Sequence, residues 1–158
     1  MTFLGLKQAR IEYLTVPADE LVQAMVQVEQ SAQPDPWSYD QIRTCFCDTC
    51  IVLGLYIKQD LVGYAVARVV VGEAEVYNIG IMRRYQGQGL GSLLLQALLD
   101  ACKARKATVC FLEVREHNVP AIALYQKFHF TPMGVRTNYY SARPGLPAEN
   151  AITMRCDL

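Results

Sequence analysis

Along this chain hydrophobic residues alternate with polar ones in some stretches and recur every three to four residues in others, and each change of period marks an element. Residues 10–16 alternate weakly and predict a first strand, broken at Pro17. From there to about Ser31, Leu21, Met25 and Val28, with neighbouring Val22, recur at helical spacing, so a helix is predicted with Asp19 as its cap. Gln33-Pro34-Asp35-Pro36 reads as a loop. Ser38-Tyr39-Asp40-Gln41 has the spacing of a capping box and predicts a short second helix ending near Cys47. Two β-rich runs, 49–58 and 61–71, flank Gln59-Asp60 as a hairpin turn. Gly72-Glu73-Ala74 turns the chain into a further strand over 75–81. These three runs predict an antiparallel meander.

A glycine-rich turn then leads into a long apolar helix opening at Gly89 or Leu90, with Leu90, Leu94, Ala97, Leu98 and Ala101 on one face. Residues 108–114 form a continuous apolar run, as in a strand buried on both faces. A helix joins it to the strand before, which predicts a parallel pair. Asn118 is a good N-cap, and Pro120 is tolerated in the first turn of a helix running to about Lys127. Phe128-His129-Phe130 leads to a strand through about Val135 and on to Tyr140. Residues 141–149, with Pro144, Gly145 and Pro147, read as an irregular loop, and 151–156 as a final strand. No repeat or linker divides the chain. The expectation is one α+β domain over residues 1–158, a mixed sheet with helices on both faces.

Composition narrows the function classes. Fifteen basic residues balance fifteen acidic ones, so no overall field draws the chain to nucleic acid or to a membrane surface. No apolar run approaches the roughly 20 residues needed to span a bilayer. The start, Met1-Thr2-Phe3-Leu4-Gly5-Leu6-Lys7, lacks the pattern of a signal peptide, so a cytoplasmic protein is expected. The six cysteines fit a reducing compartment, with Cys102, Cys110 and Cys156 as small apolar packers. Cys45, Cys47 and Cys50 have the look of a metal or redox motif. No fourth ligand follows at matching spacing and both histidines lie far along the chain, so no metal is expected.

The candidate chemistry sits in the turn Gln86-Gly87-Gln88-Gly89-Leu90-Gly91. Three glycines alternating in five residues let backbone N–H groups approach a ligand closely, and the helix start adds unpaired N–H groups and a positive dipole end. Together these suit a pyrophosphate; the alternative is a tight turn that binds nothing. A dinucleotide site would put its first glycine directly after the strand and an acidic residue about 20 positions on. Glu113 meets the second condition only superficially, and the evenly spaced glycines miss the first. An upstream meander also argues against a doubly wound sheet.

Gln86-Gly87-Gln88-Gly89-Leu90-Gly91 matches in full the coenzyme A signature of the Gcn5-related N-acetyltransferases (GNAT), and the chain resembles that family. The resemblance narrows to the RimI type, which acetylates the N-terminal alanine of a small-subunit ribosomal protein. It rests on Pro36-Trp37-Ser38, Asn78-Ile79, Leu112-Glu113-Val114-Arg115, Asn118, Ala121-Ile122-Ala123-Leu124-Tyr125 and Asn138-Tyr139-Tyr140, and covers nearly the whole chain. It implies a GNAT fold with a splayed parallel pair and acetyl-CoA as cosubstrate. It further implies that Ile79, Gly80 and Ile81 hold the pantetheine and acetyl carbonyl, that Gln86, Gly87, Gln88, Gly89, Leu90 and Gly91 hold the pyrophosphate, and that Asn118 contacts the coenzyme. Glu113 resembles the general base and Tyr125 the general acid; Trp37 and Tyr139, with Glu29 and Tyr39, are groove candidates. The partner implied is a protein N-terminus, that of a ribosomal protein, and the enzyme is expected to be a monomer.

These roles are chemically sensible. An α-ammonium has a pKa near 8, so neutralising it at pH 7 costs about 1.4 kcal/mol, whereas a lysine, near 10.4, costs over three times as much. A carboxylate can take that proton directly or through water, and a phenol can protonate the departing thiolate. The bland alternatives are a satisfied strand-end carboxylate for Glu113 and a core aromatic for Tyr125. No cysteine needs to be acylated, so direct transfer is expected rather than a ping-pong route. Two departures stand out. Gly87 lies where RimI-type chains often carry a basic residue, with Arg83 and Arg84 available to compensate, and the loop 141–149 lacks the usual ending before the last strand. Rival functions are a GNAT acting on a small amine or on lysine side chains, and an acyl-CoA-binding module without catalysis.

Overall fold

A strand sends successive side chains to opposite faces of its sheet, so a strand that is apolar at nearly every position must be covered on both sides. A computed structural model, which describes residues 4–158, shows this arrangement. The reading of the chain start at residues 1–3 lies outside the described residues. In order, the elements are α1 (Leu4–Gln8), β1 (Ala9–Tyr13), α2 (Asp19–Ala32), α3 (Tyr39–Thr44), β2 (Cys50–Ile57), β3 (Asp60–Val70) and β4 (Glu73–Ile81). After them come α4 (Leu90–Ala104), β5 (Val109–Arg115), α5 (Val119–Lys127), β6 (Thr131–Tyr140) and β7 (Glu149–Asp157). The seven strands form one sheet in the order β1-β2-β3-β4-β5-β7-β6. As expected from the sequence, this is a mixed α+β sheet in which β2, β3 and β4 form an antiparallel meander and β4 runs parallel to β5.

Alternation divides the core into two layers. Ile51, Leu53, Leu55 and Ala65 face α4, whose Leu94, Leu95 and Leu98 are fully buried, while Val52, Tyr64 and Val66 face Val22, Met25 and Val28 of α2. α5 contributes Tyr125 to the α4 layer, and Ile42 of α3 joins the α2 layer.

The feature that shapes the molecule is where β4 and β5 stop pairing. Their register runs from Glu73 opposite Val109 to Val76 opposite Leu112 and goes no further. Beyond that point β4 follows β3 as far as Ile81 opposite Gly63, while β5 follows β7 as far as Arg115 opposite Ala151. The β3–β4 register shifts at the same level: Val66 faces Asn78 but Ala67 faces Val76, so Tyr77 is an extra residue. Such a bulge bends its strand and increases its twist, and here it turns the end of β4 away from β5.

Several local expectations are corrected. Asp19 is the first residue inside α2 rather than its cap; Ala18 holds the cap position without a side-chain bond. The Asp19 carboxylate instead accepts from Gln23 Nε2 at 3.1 Å and from the Tyr39 hydroxyl at 2.7 Å, tying α2 to α3. Leu21 is only half-buried, and Val22, Met25, Val28 and Glu29 make the buried stripe. Strand pairing moves both hairpin turns by one residue. Ile57 faces Asp60 and Val70 faces Glu73, so the turns are Lys58-Gln59 and Val71-Gly72, with Lys58 and Val71 at φ 56° and 48°. The capping box forms as read: Gln41 N–H donates to Ser38 Oγ at 3.2 Å and Ser38 N–H to Gln41 Oε1 at 2.8 Å. That helix ends at Thr44, earlier than expected. β5 is not covered on both faces throughout, because Phe111, Glu113 and Arg115 are half-exposed where β4 has left it.

Gly63 sets how closely β3 and β4 approach. A Cβ there would lie 2.6 Å from Ile81 Cδ1 and 2.9 Å from the Gly80 carbonyl oxygen. The Gly80 backbone cannot yield without shifting β4. Gly63→Ala should therefore lower stability by about 1–3 kcal/mol, as overpacking does, seen as a lower urea midpoint with an unchanged slope.

Candidate active site

The divergence opens a cleft of ≈ 660 Å³ between the ends of β4 and β5, floored by the starts of α4 and α5. Backbone N–H and C=O groups that would have joined the two strands must find other partners. Two β4 carbonyls meet side chains instead: Ile79 accepts from Gln33 Nε2 at 3.2 Å and Ile81 from Gln86 Nε2 at 2.8 Å. Ile79, Gly80 and Ile81 all line the cleft, as does Asn118. Asn118 also caps α5, its side-chain oxygen accepting from the Ala121 N–H at 3.3 Å.

At one end lies the glycine turn. A short 3-10 turn, Arg83–Tyr85, precedes it. Gln86 is committed within the protein, its N–H to the Arg83 carbonyl at 3.1 Å and its side chain to Ile81, so it staples the turn to β4. Gly87 and Gly89 have φ of 74° and 83°, a region that side chains with a Cβ strongly avoid. The first intrahelical bond of α4 is from the Leu93 N–H to the Gly89 carbonyl, at 3.1 Å. The N–H groups of Leu90, Gly91 and Ser92 therefore precede any acceptor in their own helix, which is the arrangement that attracts an anion. Gln86, Gly87 and Gly91 line the cleft, whereas Gln88, Gly89 and Leu90 stand behind them, the Leu90 side chain in the core. Arg83 and Arg84 are exposed, the Arg84 guanidinium lying over the Tyr85 ring.

Glu113 and Tyr125 both line the same cleft. Arg136 Nε lies 3.1 Å from the Glu113 carboxylate. The nearby Glu113 carboxylate, more than burial, raises the Tyr139 pKa. Tyr125 is 6% exposed and packs edge-on against Phe130. Burial, followed by nearby Tyr140 and Cys110, pushes its phenol well above the ordinary tyrosine range.

The groove predictions are partly redistributed. Trp37 lines the cleft, but Tyr139 does not; the wall residue is Tyr140, with the Arg115 guanidinium 4.1 Å from its ring centre. The cause lies in β6. Asn138 adopts φ 51° and the register to β7 shifts between Arg136 and Tyr140, so simple alternation could not tell which tyrosine faces inward. Tyr39 is engaged with Asp19 instead. No role is read for Arg136, Arg115 or Asp35 from the sequence, although Arg115 belongs to a motif that carries the resemblance. Arg115 pairs with Glu149 at 3.3 Å and Asp35 at 3.9 Å, and Arg143 reaches Asp35 at 3.4 Å, so the loop after α2 meets the loop between β6 and β7 across the cleft mouth.

Glu29 underlies this wall and is fully buried. Its carboxylate accepts from the Trp37 N–H at 2.9 Å and from Asn78 Nδ2 at 2.6 Å. Asn78 Nδ2 is also 3.2 Å from the Tyr64 hydroxyl, and its oxygen accepts from Gln33 Nε2 at 3.3 Å. Burial, then the Glu29 charge, pushes the Tyr64 phenol far upward. Charge-assisted bonds of this kind offset part of the cost of burying a carboxylate. They fix the Trp37 backbone and the diverging end of β4 against each other. Glu29→Gln keeps the shape but turns an amide donor toward one of the two N–H donors. It should lower stability by about 1–3 kcal/mol, the cost of an unsatisfied buried polar group, measured by urea denaturation.

Comparison with known proteins shows the family and the fold. A model of the acetyltransferase (GNAT) family matches residues 18–130. The chain is 36% identical over 134 residues to a ribosomal protein bS18-alanine N-acetyltransferase of Haemophilus influenzae, spanning 85% of this chain and 90% of that protein. It resembles the crystal structure of the ribosomal-protein-S18-alanine N-acetyltransferase from Escherichia coli with a TM-score of 0.85 and 32% identity, over 94% of this chain and 93% of that one. The fold is also that of Arabidopsis thaliana NAA60 in complex with acetyl-CoA, at a TM-score of 0.83 and 12% identity, over 95% and 98% of the two chains.

Proposed function

The chain belongs to the acetyltransferase (GNAT) family, and on that premise we propose that this N-acetyltransferase moves the acetyl group of acetyl-CoA to the N-terminal alanine of a ribosomal protein. The observation that carries the reading is that one cleft joins a glycine turn at the start of α4 to a carboxylate and a buried phenol. The choice of acceptor follows the bS18-alanine N-acetyltransferases that the chain resembles. Among the described residues no helix is long and apolar enough to cross a membrane. We assign the enzyme to the cytoplasm, acting as a monomer.

In this reading the coenzyme pyrophosphate rests on the N–H groups at the start of α4, with Arg83 and Arg84 supplying the charge that Gly87 lacks. The pantetheine extends along Ile79, Gly80 and Ile81 where β5 has moved away, and Asn118 contacts it from the start of α5. The acceptor α-amine enters past Trp37 and Tyr140. Glu113, paired with Arg136, removes the ammonium proton directly or through a water. The free amine attacks the thioester carbonyl, the C–S bond breaks, and Tyr125 gives its proton to the departing thiolate. Burial keeps the Tyr125 phenol protonated across the physiological range, as an acid requires. No cysteine lines the cleft among the described residues, which supports direct transfer.

Two peptides test the acceptor, one beginning with a free alanine and one with a blocked N-terminus and internal lysines. Acetyl transfer to the α-amine alone, located by mass spectrometry, is expected; lysine modification would move the function to a side-chain acetyltransferase, and coenzyme binding without product to a sensor. Glu113→Gln and Tyr125→Phe should each lower kcat by about a hundredfold or more. The Glu113→Gln deficit should shrink above about pH 8, where the amine loses its proton unaided.

The turn has its own test. Gly89 sits at φ 83°, and an added Cβ would come 3.3 Å from Leu6 Cδ1. Gly89→Val should force the turn to relax and disperse the N–H groups, raising the acetyl-CoA Kd by about tenfold or more, in line with the 1–2 kcal/mol cost of a left-handed branched residue. Unchanged affinity by calorimetry would place the phosphates elsewhere.

A further inference from the structure

A second cavity, of ≈ 450 Å³, adjoins the first at Trp37, Gln41 and Tyr77 and is also lined by Cys45, Cys47, Cys50 and Arg68. All three cysteines are free thiols. Among the described residues no cluster of histidine, cysteine and carboxylate groups is arranged to hold a metal ion. Cys47-Asp48-Thr49-Cys50 is a single turn closed by the Cys50 N–H donating to the Cys47 carbonyl at 3.0 Å. The end residues of such a turn have Cα atoms within about 7 Å, and a disulfide needs about 4.4–6.8 Å. The three thiols are not equivalent. Cys47 is exposed and its sulfur lies 3.5 Å from the Thr49 hydroxyl. Cys50 is buried where β2 begins, and the Cys45 thiol is engaged with the Gln41 carbonyl of its own helix at 3.5 Å.

We propose that Cys47 and Cys50 are a peroxide-sensitive pair that closes into a reversible disulfide at the edge of the acceptor wall. The Cys47 thiolate attacks the O–O bond of the peroxide, giving a sulfenic acid and hydroxide. The Cys50 thiol then attacks the Cys47 sulfur, the S–S bond forms, and water leaves. The two electrons lost by the thiols reduce the peroxide, and a low-molecular-weight dithiol returns both groups to thiols. The asymmetry of the pair suits this order. The Thr49 hydroxyl and then the Cys50 thiol hold Cys47 below the usual thiol pKa. Burial first, and then Cys47 itself, pushes Cys50 up to about 12, and oxidation of Cys47 removes the second of these influences. Arg68, whose guanidinium donates to the Tyr77 hydroxyl at 3.5 Å, lines the same cavity, and Trp37, Gln41 and Tyr77 are shared with the catalytic cleft.

The test needs no turnover, so its outcome is independent of the proposed acetyl transfer. The full chain is treated with hydrogen peroxide, alkylated and digested with trypsin without reductant; residues 44–58 form one peptide carrying all three cysteines. The expected product lacks two hydrogen atoms, carries its alkyl group on Cys45 alone, and reverts with dithiothreitol. Trp37, the only tryptophan, should change its emission and recover in step. In Cys50→Ser the reaction should stop at a Cys47 sulfenic acid that dimedone captures. Three thiols still open to alkylation after peroxide, a bond that includes Cys45, or dimedone on a different cysteine would each overturn the proposal.

Discussion

The candidate site of this molecule depends on two parallel strands that part company. β4 and β5 pair only as far as Val76 and Leu112, and beyond that each keeps its outer neighbour. A parallel sheet interrupted in this way would leave two rows of backbone groups without partners, a state that folded proteins avoid. The chain satisfies part of the β4 row with glutamine amides from Gln33 and Gln86. The space between the strands becomes a slot in which an extended, hydrogen-bonding molecule can stand as a further strand. Pantetheine, with its two amide groups, has that character.

The slot stays open because each lip is held from outside. The bulge at Tyr77 turns β4, and the tight approach at Gly63 fixes it to β3. The buried cluster of Glu29, Asn78, Tyr64 and Gln33 then wedges the last turn of α2 against the same strand end. A wholly apolar wedge would pack there without the cost of desolvating a carboxylate. Glu29 instead ties the backbone of Trp37 to Asn78, so the Trp37 side of the cleft and the diverging end of β4 are positioned by one side chain.

The sequence made the local chemistry legible and left the register obscure. The capping box at Ser38, the cap at Asn118 and the turn from Gln86 to Gly91 rest on residues within a few positions of each other, and all three appear where they were read. The parallel pairing of β4 with β5 also followed from the helix between them. What escaped depends on register shifts and on contacts between distant segments. The hairpin turns moved by one residue because strand pairing, not turn chemistry, set their position. Tyr140 replaced Tyr139 as a wall residue because Asn138 interrupts the alternation of β6. Arg136 and Asp35 gave no local signal, since each meets its partner only when distant parts of the chain come together.

The two groups proposed for proton transfer are also set apart by these surroundings. Tyr125 lies on α5 against Phe130, on the face packed by α4, and burial disfavours its charged form. Glu113 stands on the opposite face of β5, half-exposed, with the Arg136 guanidinium 3.1 Å from its carboxylate. Adjacent positions on a strand point to opposite faces, so the residues around Glu113, Leu112 and Val114, belong to the apolar layer that encloses Tyr125. One strand edge thus separates the dry, apolar setting of the Tyr125 phenol from the half-exposed, charged setting of the Glu113 carboxylate.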